Sequence, residues 1–282
     1  MPLHAVGLHQ ISDRLAEIRR ETDPPAANRA HSALSAHFAW LVGTGRAEMN
    51  PVMGVPKPAP EMRRARVLIG NEIARVLKAC RNDDFGRIVR LLLLTGQRRD
   101  EVAGMAWSEL DLAGAVWLLP GGRVKNGLDH DVRLSASALQ ILATTERIEG
   151  RPLVFGQGEG GFRGFSRAKA SLDKRSGVTY WRLHDLRRTA TTVMTDHLKV
   201  LPHVAEAVLN HISGHKAGVA GIYNRALYAT EKRKALDLLG AYLAGLQPRI
   251  EIAATDAEPA LAQLKKRRAA TVLASAAKRR RA

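Results

Sequence analysis

The sequence predicts a mainly α-helical α+β fold with one small antiparallel sheet. Apolar residues recur at spacings of three and four through most segments between the glycine and proline breaks, which is the helical period. Alternating β-type patterning is confined to one stretch, AVWLLP followed by RVKNG and DVRLS, with Asn126-Gly127 as the turn cue. At 282 residues the chain is long enough for one or two domains and a sizeable core.

The elements follow in order. AANRAHSALSAHFAWLVGTG carries Leu34, Phe38 and Leu41 at helical spacing and ends in glycines suited to a C-cap. Four prolines in ten residues, Pro51, Pro56, Pro58 and Pro60, then break the chain. They predict a Pro-rich extended linker over 54–66, leaving residues 1–53 as a partial helical domain, small for a self-standing one. Ile73, Val76, Leu77 and Cys80 mark the next helix, and FGRIVRLLLL a second that stops at Thr95-Gly96. A third starts near Arg98, with Val102, Met105 and Ala106 inward. After the sheet, HDLRRTATTVMTDHL reads as a helix whose core stripe is Leu183, Leu186, Ala190, Val193 and His197. Helices are also expected through PHVAEAVLNH, around GIYNRALY, and through TEKRKALDLLGAYLAGL with Leu236, Leu239, Leu243 and Leu246. The tail, 249–282, holds nine Lys or Arg against three acids and is expected to be disordered or to become helical on DNA.

Lys and Arg number 44 against 27 acids, a formal charge of +17. A protein this basic is expected to meet a polyanion, and nucleic acid is the first candidate. The opening MPLHAVGLHQ lacks the charged and apolar regions of a signal peptide, and no basic amphipathic anchor opens the chain. Cys80 is the one cysteine and cannot form an internal disulfide. A reduced, cytoplasmic and nucleoid-associated setting without a membrane role is the expectation.

No glycine-rich phosphate loop, cysteine pair or carboxylate cluster of metal-site type appears, so no cofactor or metal is expected. His211 and His215 sit four apart and could share a metal on a helix, but Gly214 lies between them. His130, His197 and His203 read as surface or core-edge residues. On the helix from Leu183, His184 and Arg187 share a face beside the apolar stripe, at the edge of the core. That position suits a held anion and equally a solvated arginine. Arg98 could simply cap or pair with its own helix through Glu101, and a lysine such as Lys125 is common in a hairpin.

Four strings taken together go further: TGQRRDEV with Arg98, RVKNG with Lys125, RLHDLRRT with His184 and Arg187, and VLNHISGHKAGVAGIYNRA with His211 and Tyr223. In this order, with the lysine in a hairpin and the tyrosine twelve residues after a histidine, the chain resembles the tyrosine recombinase (phage integrase) family. The resemblance is nearest to the family's satellite-phage-like branch, runs from about Arg66 to Leu246, and continues more weakly back to His9.

The resemblance implies a tyrosine-recombinase catalytic fold over 67–248, preceded by a partial helical core-binding domain over 1–53. It implies a DNA integrase of a mobile genetic element such as a prophage, cleaving and rejoining DNA through a 3′-phosphotyrosyl bond without metal or ATP. Tyr223 is the implied nucleophile, His184 the base or proton shuttle and Lys125 the general acid. Arg98 and Arg187 are the implied phosphate clamps, His211 a donor to the scissile phosphate and Glu101 a support for Arg98. The chemistry fits, because planar guanidiniums hold phosphate oxygens bidentately and stay charged. Tyr228 is the competitor for the nucleophile, but GIYNRA matches the family string only at Tyr223. Tyr180 and Tyr242 read as structural. Arg123, Arg133 and Arg188 are expected on the DNA backbone, and Asp185 on a solvated face. The implied partners are double-stranded attachment sites, a homo-tetramer on DNA, and an excisionase or DNA-bending protein. Complete members carry an arm-binding domain and a full core-binding domain. The first fifty residues resemble only the last part of the latter, ending at MNPVMGV, so the chain reads as amino-terminally truncated. Two other readings follow: a non-catalytic DNA-binding remnant, and topoisomerase-like activity on one duplex.

Overall fold

The structure is a computed structural model that describes residues 5–60, 65–157, 160–211 and 228–246. It divides into two compact units, Met1–Ala65 and Arg66–Ala282. The proposed helix at GIYNRALY, His215, Tyr223 and the basic tail lie outside the described residues.

In the first unit, α1 (Leu8–Glu21) packs on α2 (Pro24–Gly43). The Asp23 carboxylate accepts from Ala26 N at 2.7 Å, and Pro24 and Pro25 occupy the first turn, where a missing N–H goes unused. Ile11 and Leu15 meet Phe38 and Leu41, and Val52 and Val55 complete the cluster. The proline-rich stretch is therefore not extended linker from residue 54. Val55 and Ala59 are buried. The Asn28 amide donates to Ala59 O at 2.8 Å and accepts from Ala59 N at 3.0 Å, while the His31 ring bonds Val55 O at 2.7 Å. Prolines forbid a ladder or a helix but not apolar burial, and two short helices need a third surface to enclose a core.

The second unit is built on α4 (Asp84–Thr95), nine of whose twelve residues are buried. Its start is capped by Asp83, which accepts from Gly86 N at 2.8 Å. Its end is Gly96 at φ +66°, where a Cβ would meet Leu209 Cδ2 at 2.9 Å. Glycine is needed there on both counts. Around α4 stand α5 (Arg99–Ala103), α6 (Ala136–Ala143), α8 (Leu183–Thr192) and α10 (Ala229–Gly245), with α3 (Gly70–Ala79), α7 (Phe165–Ser176) and α9 (Pro202–Val208) completing the unit. The expected stripe on α10 is buried at Leu236, Leu239 and Leu243. Neither α6 nor α7 was expected from the sequence pattern. No helix among the described residues is long and apolar enough to cross a membrane.

The sheet is antiparallel in the order β1 (Leu110–Asp111), β2 (Val116–Leu119), β3 (His130–Arg133), with Val116 opposite Arg133 and Leu119 opposite His130. One local reading needs correction, and one strand was not expected. RVKNG is no strand: Gly121–Arg123 is a 3-10 turn, and Val124–Gly127 closes a second turn through Gly127 N to Val124 O at 3.0 Å. Lys125 thus sits on the loop between β2 and β3, with Gly127 at φ +71° where the Asn-Gly cue predicts a turn. The unexpected strand, the two-residue β1, which joins β2 through Ala115 at φ +55°, has too few residues to show alternation.

Along α8 the stripe holds at Leu186, Ala190 and Val193 and fails at His197. A π-turn spans Val193–His197, with Leu198 N donating to Val193 O at 3.0 Å, five residues back. The wider turn rotates His197 off the stripe, and it stacks on Tyr242 with ring centres 5.7 Å apart. Three other expectations fail here. Asp185 is buried, because its carboxylate accepts from Arg182 N at 2.8 Å at the start of α8 and pairs with Arg188 Nη1 at 3.0 Å. His130 is buried, its ring bonded to Val208 O at 3.0 Å. Tyr180, at φ +58°, is exposed rather than structural.

Candidate active site

Arg98 and Glu101 meet at the start of α5. The Glu101 carboxylate does two jobs: Oε2 accepts from Arg98 N at 2.8 Å, and Oε1 pairs with Arg98 Nη1 at 2.7 Å. Glu101 is 4% exposed and the Arg98 side chain 26% exposed, so the carboxylate lies beneath and the guanidinium faces outward. The helix-capping reading of Arg98 and the supporting reading of Glu101 are the same arrangement.

Arg187, on α8, is 4% exposed. Nη1 donates to Gly96 O at 2.7 Å and Nη2 to Leu209 O at 2.6 Å. One fork therefore ties the end of α4, two residues before Arg98, to the end of α9, two residues before His211. Two of the five guanidinium N–H groups are used in these bonds, and both acceptors are neutral. Burial, and after it the charge of Arg98, push the Arg187 pKa down to about 10, with Glu101 opposing. Two like charges held this close, one of them desolvated, favour an anion between them.

The two imidazoles belong to the same group. Burial, then the charges of Arg188 and Arg187, lower the His184 pKa, against the pull of Asp185. Burial, then Arg187 and Arg98, lower that of His211, and His184 adds to the effect. Arg98, Arg187, His184 and His211, from three separate strings, thus feel one another's charge. Both ring residues keep exposed surface.

The hub that assembles this group was missed in the sequence. Three consecutive carbonyls at the end of α9 lack partners within their helix. Val208 O accepts from Gln97 Nε2 at 2.9 Å and bonds the His130 ring, Leu209 O accepts from Arg187, and Asn210 O accepts from Asn126 Nδ2 at 3.3 Å. Gln97, His130, Asn126 and Asn210 are thus structural residues of the site. Gln97, Asn126 and Asn210 stand in the strings already singled out, beside Arg98, Lys125 and His211, but nothing in those strings marks what they bond.

Lys125 is exposed on its loop. Arg123, expected on DNA backbone, is turned inward: it pairs with both carboxylate oxygens of Glu109 and donates from Nη2 to Glu101 O at 2.7 Å. It braces the Lys125 loop against the residue that supports Arg98. Arg188 pairs with Asp185 and keeps partly exposed, and Arg133 lies half-buried on β3. Tyr223 lies outside the described residues. Its competitor Tyr228 is the residue ahead of α10, at φ +44°, with its ring 5.2 Å from that of His203.

The comparisons with known proteins agree on one lineage. The profile of the phage integrase family matches residues 66–229, more than half of the chain. The chain is 26% identical over 244 residues to prophage integrase IntZ of Escherichia coli K12, covering 82% of this chain and 60% of that one. It is 26% identical over 239 residues to the integrase of Shigella phage Sf6, at 78% and 60%. Against tyrosine recombinase XerC of Xylella fastidiosa strain 9a5c the identity is 30% over 112 residues, 38% of either chain. The chain thus spans about 60% of the length of the two integrases. Among solved structures, a lambda integrase (75–356) dimer bound to a COC′ core site aligns with a TM-score of 0.59 at 20% identity, covering 75% of this chain and 81% of that one. The integrase from mycobacterium phage Brujita aligns at 0.53 and 20%, covering 87% and 85%. These likenesses agree with the mainly helical fold and its small antiparallel sheet. The chain belongs to the phage integrase family.

Proposed function

We propose that the protein is a site-specific DNA recombinase that cleaves and rejoins DNA through a tyrosyl-phosphate bond. The observation that supports this is that Arg98, Arg187, His184 and His211, side-chain types able to bind phosphate or carry protons, feel one another's charge, with Arg187 and Gln97 bonded to carbonyls at the end of α9. Negative charge grows on the non-bridging oxygens as phosphorus becomes five-coordinate, and fixed guanidiniums already in place stabilise that growth without reorganising. Among the described residues Arg187 spends two of its five N–H groups on neutral carbonyls, so phosphate is a natural counter-ion for its charge.

In the forward step the Tyr223 phenol oxygen bonds to phosphorus while the bond from phosphorus to the 5′-oxygen breaks. His184 takes the phenolic proton, and the Lys125 ammonium gives one to the departing 5′-oxygen, so a 3′-phosphotyrosyl bond and a 5′-hydroxyl result. His211 donates to the phosphate, while Arg133 and Arg188 lie on the flanking DNA backbone. The new bond stores the energy of the old one, and the reverse step rejoins the strand. By likeness to the lambda integrase tetramer bound to a Holliday junction, four chains act together on two duplexes. Residues 1–53, with the stretch that packs against them, serve as the partial core-binding domain, and residues 67–248 as the catalytic one.

The decisive test is a nicked duplex in which the 5′-hydroxyl fragment diffuses away after cleavage. A covalent adduct should accumulate, and it should do so in EDTA. An adduct absent under all conditions would leave a non-catalytic DNA-binding protein.

A pH prediction follows from the two imidazoles. Their pKa values lie below the usual 6.5, so both rings are neutral at neutral pH and protonate only in more acidic solution. With His184 as base, adduct formation at limiting DNA should decline in acid with its midpoint below 6.5. At saturating DNA the decline should begin at higher pH, because the bound phosphodiester favours the imidazolium. A decline centred above 6.5 at limiting DNA would remove His184 from the base's role.

A further inference from the structure

Lys125 and Asn126 are the two central residues of the turn Val124–Gly127. The chain ahead of them is anchored, with Val124 buried and Arg123 held by Glu109 and Glu101 O. The chain after them turns at left-handed Gly127 and is tied back where Asp129 Oδ1 accepts from Gly121 N at 2.7 Å. These ties hold the base of the loop but not its tip, where Lys125 is exposed. Asn126 anchors the tip. Its Nδ2 donates to Asn210 Oδ1 at 3.1 Å and to Asn210 O at 3.3 Å, and Asn210 Nδ2 returns a bond to Asn126 Oδ1 at 3.5 Å. Asn210 is 8% exposed, adopts φ +50°, and immediately precedes His211. Asparagine tolerates that left-handed backbone where most residues do not.

We propose that Asn126 and Asn210 are positioning residues for strand cleavage: their amide pair locks the Lys125 loop to the turn that carries His211, so that both side chains address one phosphate. The inference rests on the general-acid reading of Lys125 above. A proton donor must lie within hydrogen-bond reach of the departing oxygen, and a small displacement weakens it steeply. The His211 turn keeps its ties through Arg187 to Leu209 O, Gln97 to Val208 O and His211 N to Glu206 O, whereas the Lys125 turn loses its link to α9, so the loss falls chiefly on the step that Lys125 serves.

The test uses the full chain and two matched nicked duplexes, one with oxygen and one with sulfur at the 5′-bridging position. The sulfur leaves as a thiolate and needs no proton. On the oxygen substrate, Asn126→Ala and Asn210→Gly should each slow adduct formation about tenfold, the order expected when a catalytic group is misplaced rather than removed. On the sulfur substrate each should return to within about twofold of the wild type, as should Lys125→Ala, since the acid is no longer required. Asn210→Gly deletes the amide yet permits the left-handed backbone. The double variant should be no slower than either single one, because both break one contact. Asn126→Asp, similar in shape but unable to donate to the Asn210 oxygens, should show the same selective loss if Asn126→Ala folds poorly. Equal slowing on both substrates would overturn the pair's role while leaving Lys125 as the acid. Failure of sulfur to rescue Lys125→Ala would overturn both.

Discussion

Tyr223→Phe should abolish the covalent adduct altogether and leave DNA affinity within about twofold, because binding is dominated by phosphate contacts to which one hydroxyl adds little. The phenol oxygen is the only atom removed, and without it no bond to phosphorus can form at that position. Tyr228→Phe should keep the adduct. Tyr228 opens α10 with a left-handed backbone and a ring against His203, so its place is tied to packing at the helix start. The two variants are compared by gel shift for affinity and by denaturing electrophoresis for the adduct. An adduct that persists in Tyr223→Phe and vanishes in Tyr228→Phe would move the nucleophile five residues along the chain.

What could be read from the sequence depended on how far each signal reaches. Helix α8 was legible because its stripe repeats locally at Leu186, Ala190 and Val193, and α4 because its run of leucines ends in a glycine. The strings that carry Arg98, His184 and Arg187 stood out only together with the other two, through their resemblance to the phage integrase family; each alone left a solvated or helix-capping arginine equally open. The π-turn after α8 could not, since no residue type announces an i to i−5 bond, and His197 was misplaced with it. The β2–β3 loop was misread because its order comes from side chains tied elsewhere, Arg123 to Glu109 and Asn126 to Asn210, rather than from a partner strand. The hub at the end of α9 was wholly hidden. Its acceptors are backbone carbonyls, and Gln97 reaches Val208 across 111 residues, so neither partner differs in sequence from an ordinary helix end.

The burial of Arg187 carries the second large expectation, in which charge and geometry separate. Arg187→Lys keeps a cation but replaces the planar fork by a single ammonium on a flexible stem. An ammonium has three donors that cannot span Gly96 O and Leu209 O in one plane and still offer a pair to phosphate. The variant should fold and bind DNA with nearly unchanged salt dependence, because the neutralised phosphate count is the same. Its rate of adduct formation should fall about 100- to 1,000-fold, the range found when one preorganised donor to a growing oxyanion is lost. Sulfur at the 5′-bridging position should not restore it, since the deficit lies in stabilising charge at phosphorus and not in protonating the leaving group. Arg187→Ala should go further and lose stability as well, because the Gly96 and Leu209 carbonyls then remain buried without donors, each at about 1–3 kcal/mol. The loosened α9 end would also release the His211 turn. A melting temperature that drops in Arg187→Ala and holds in Arg187→Lys, with cleavage slow in both, is the expected pattern. Cleavage by Arg187→Lys at the wild-type rate would show that any cation at this site suffices and that the fork serves the fold alone.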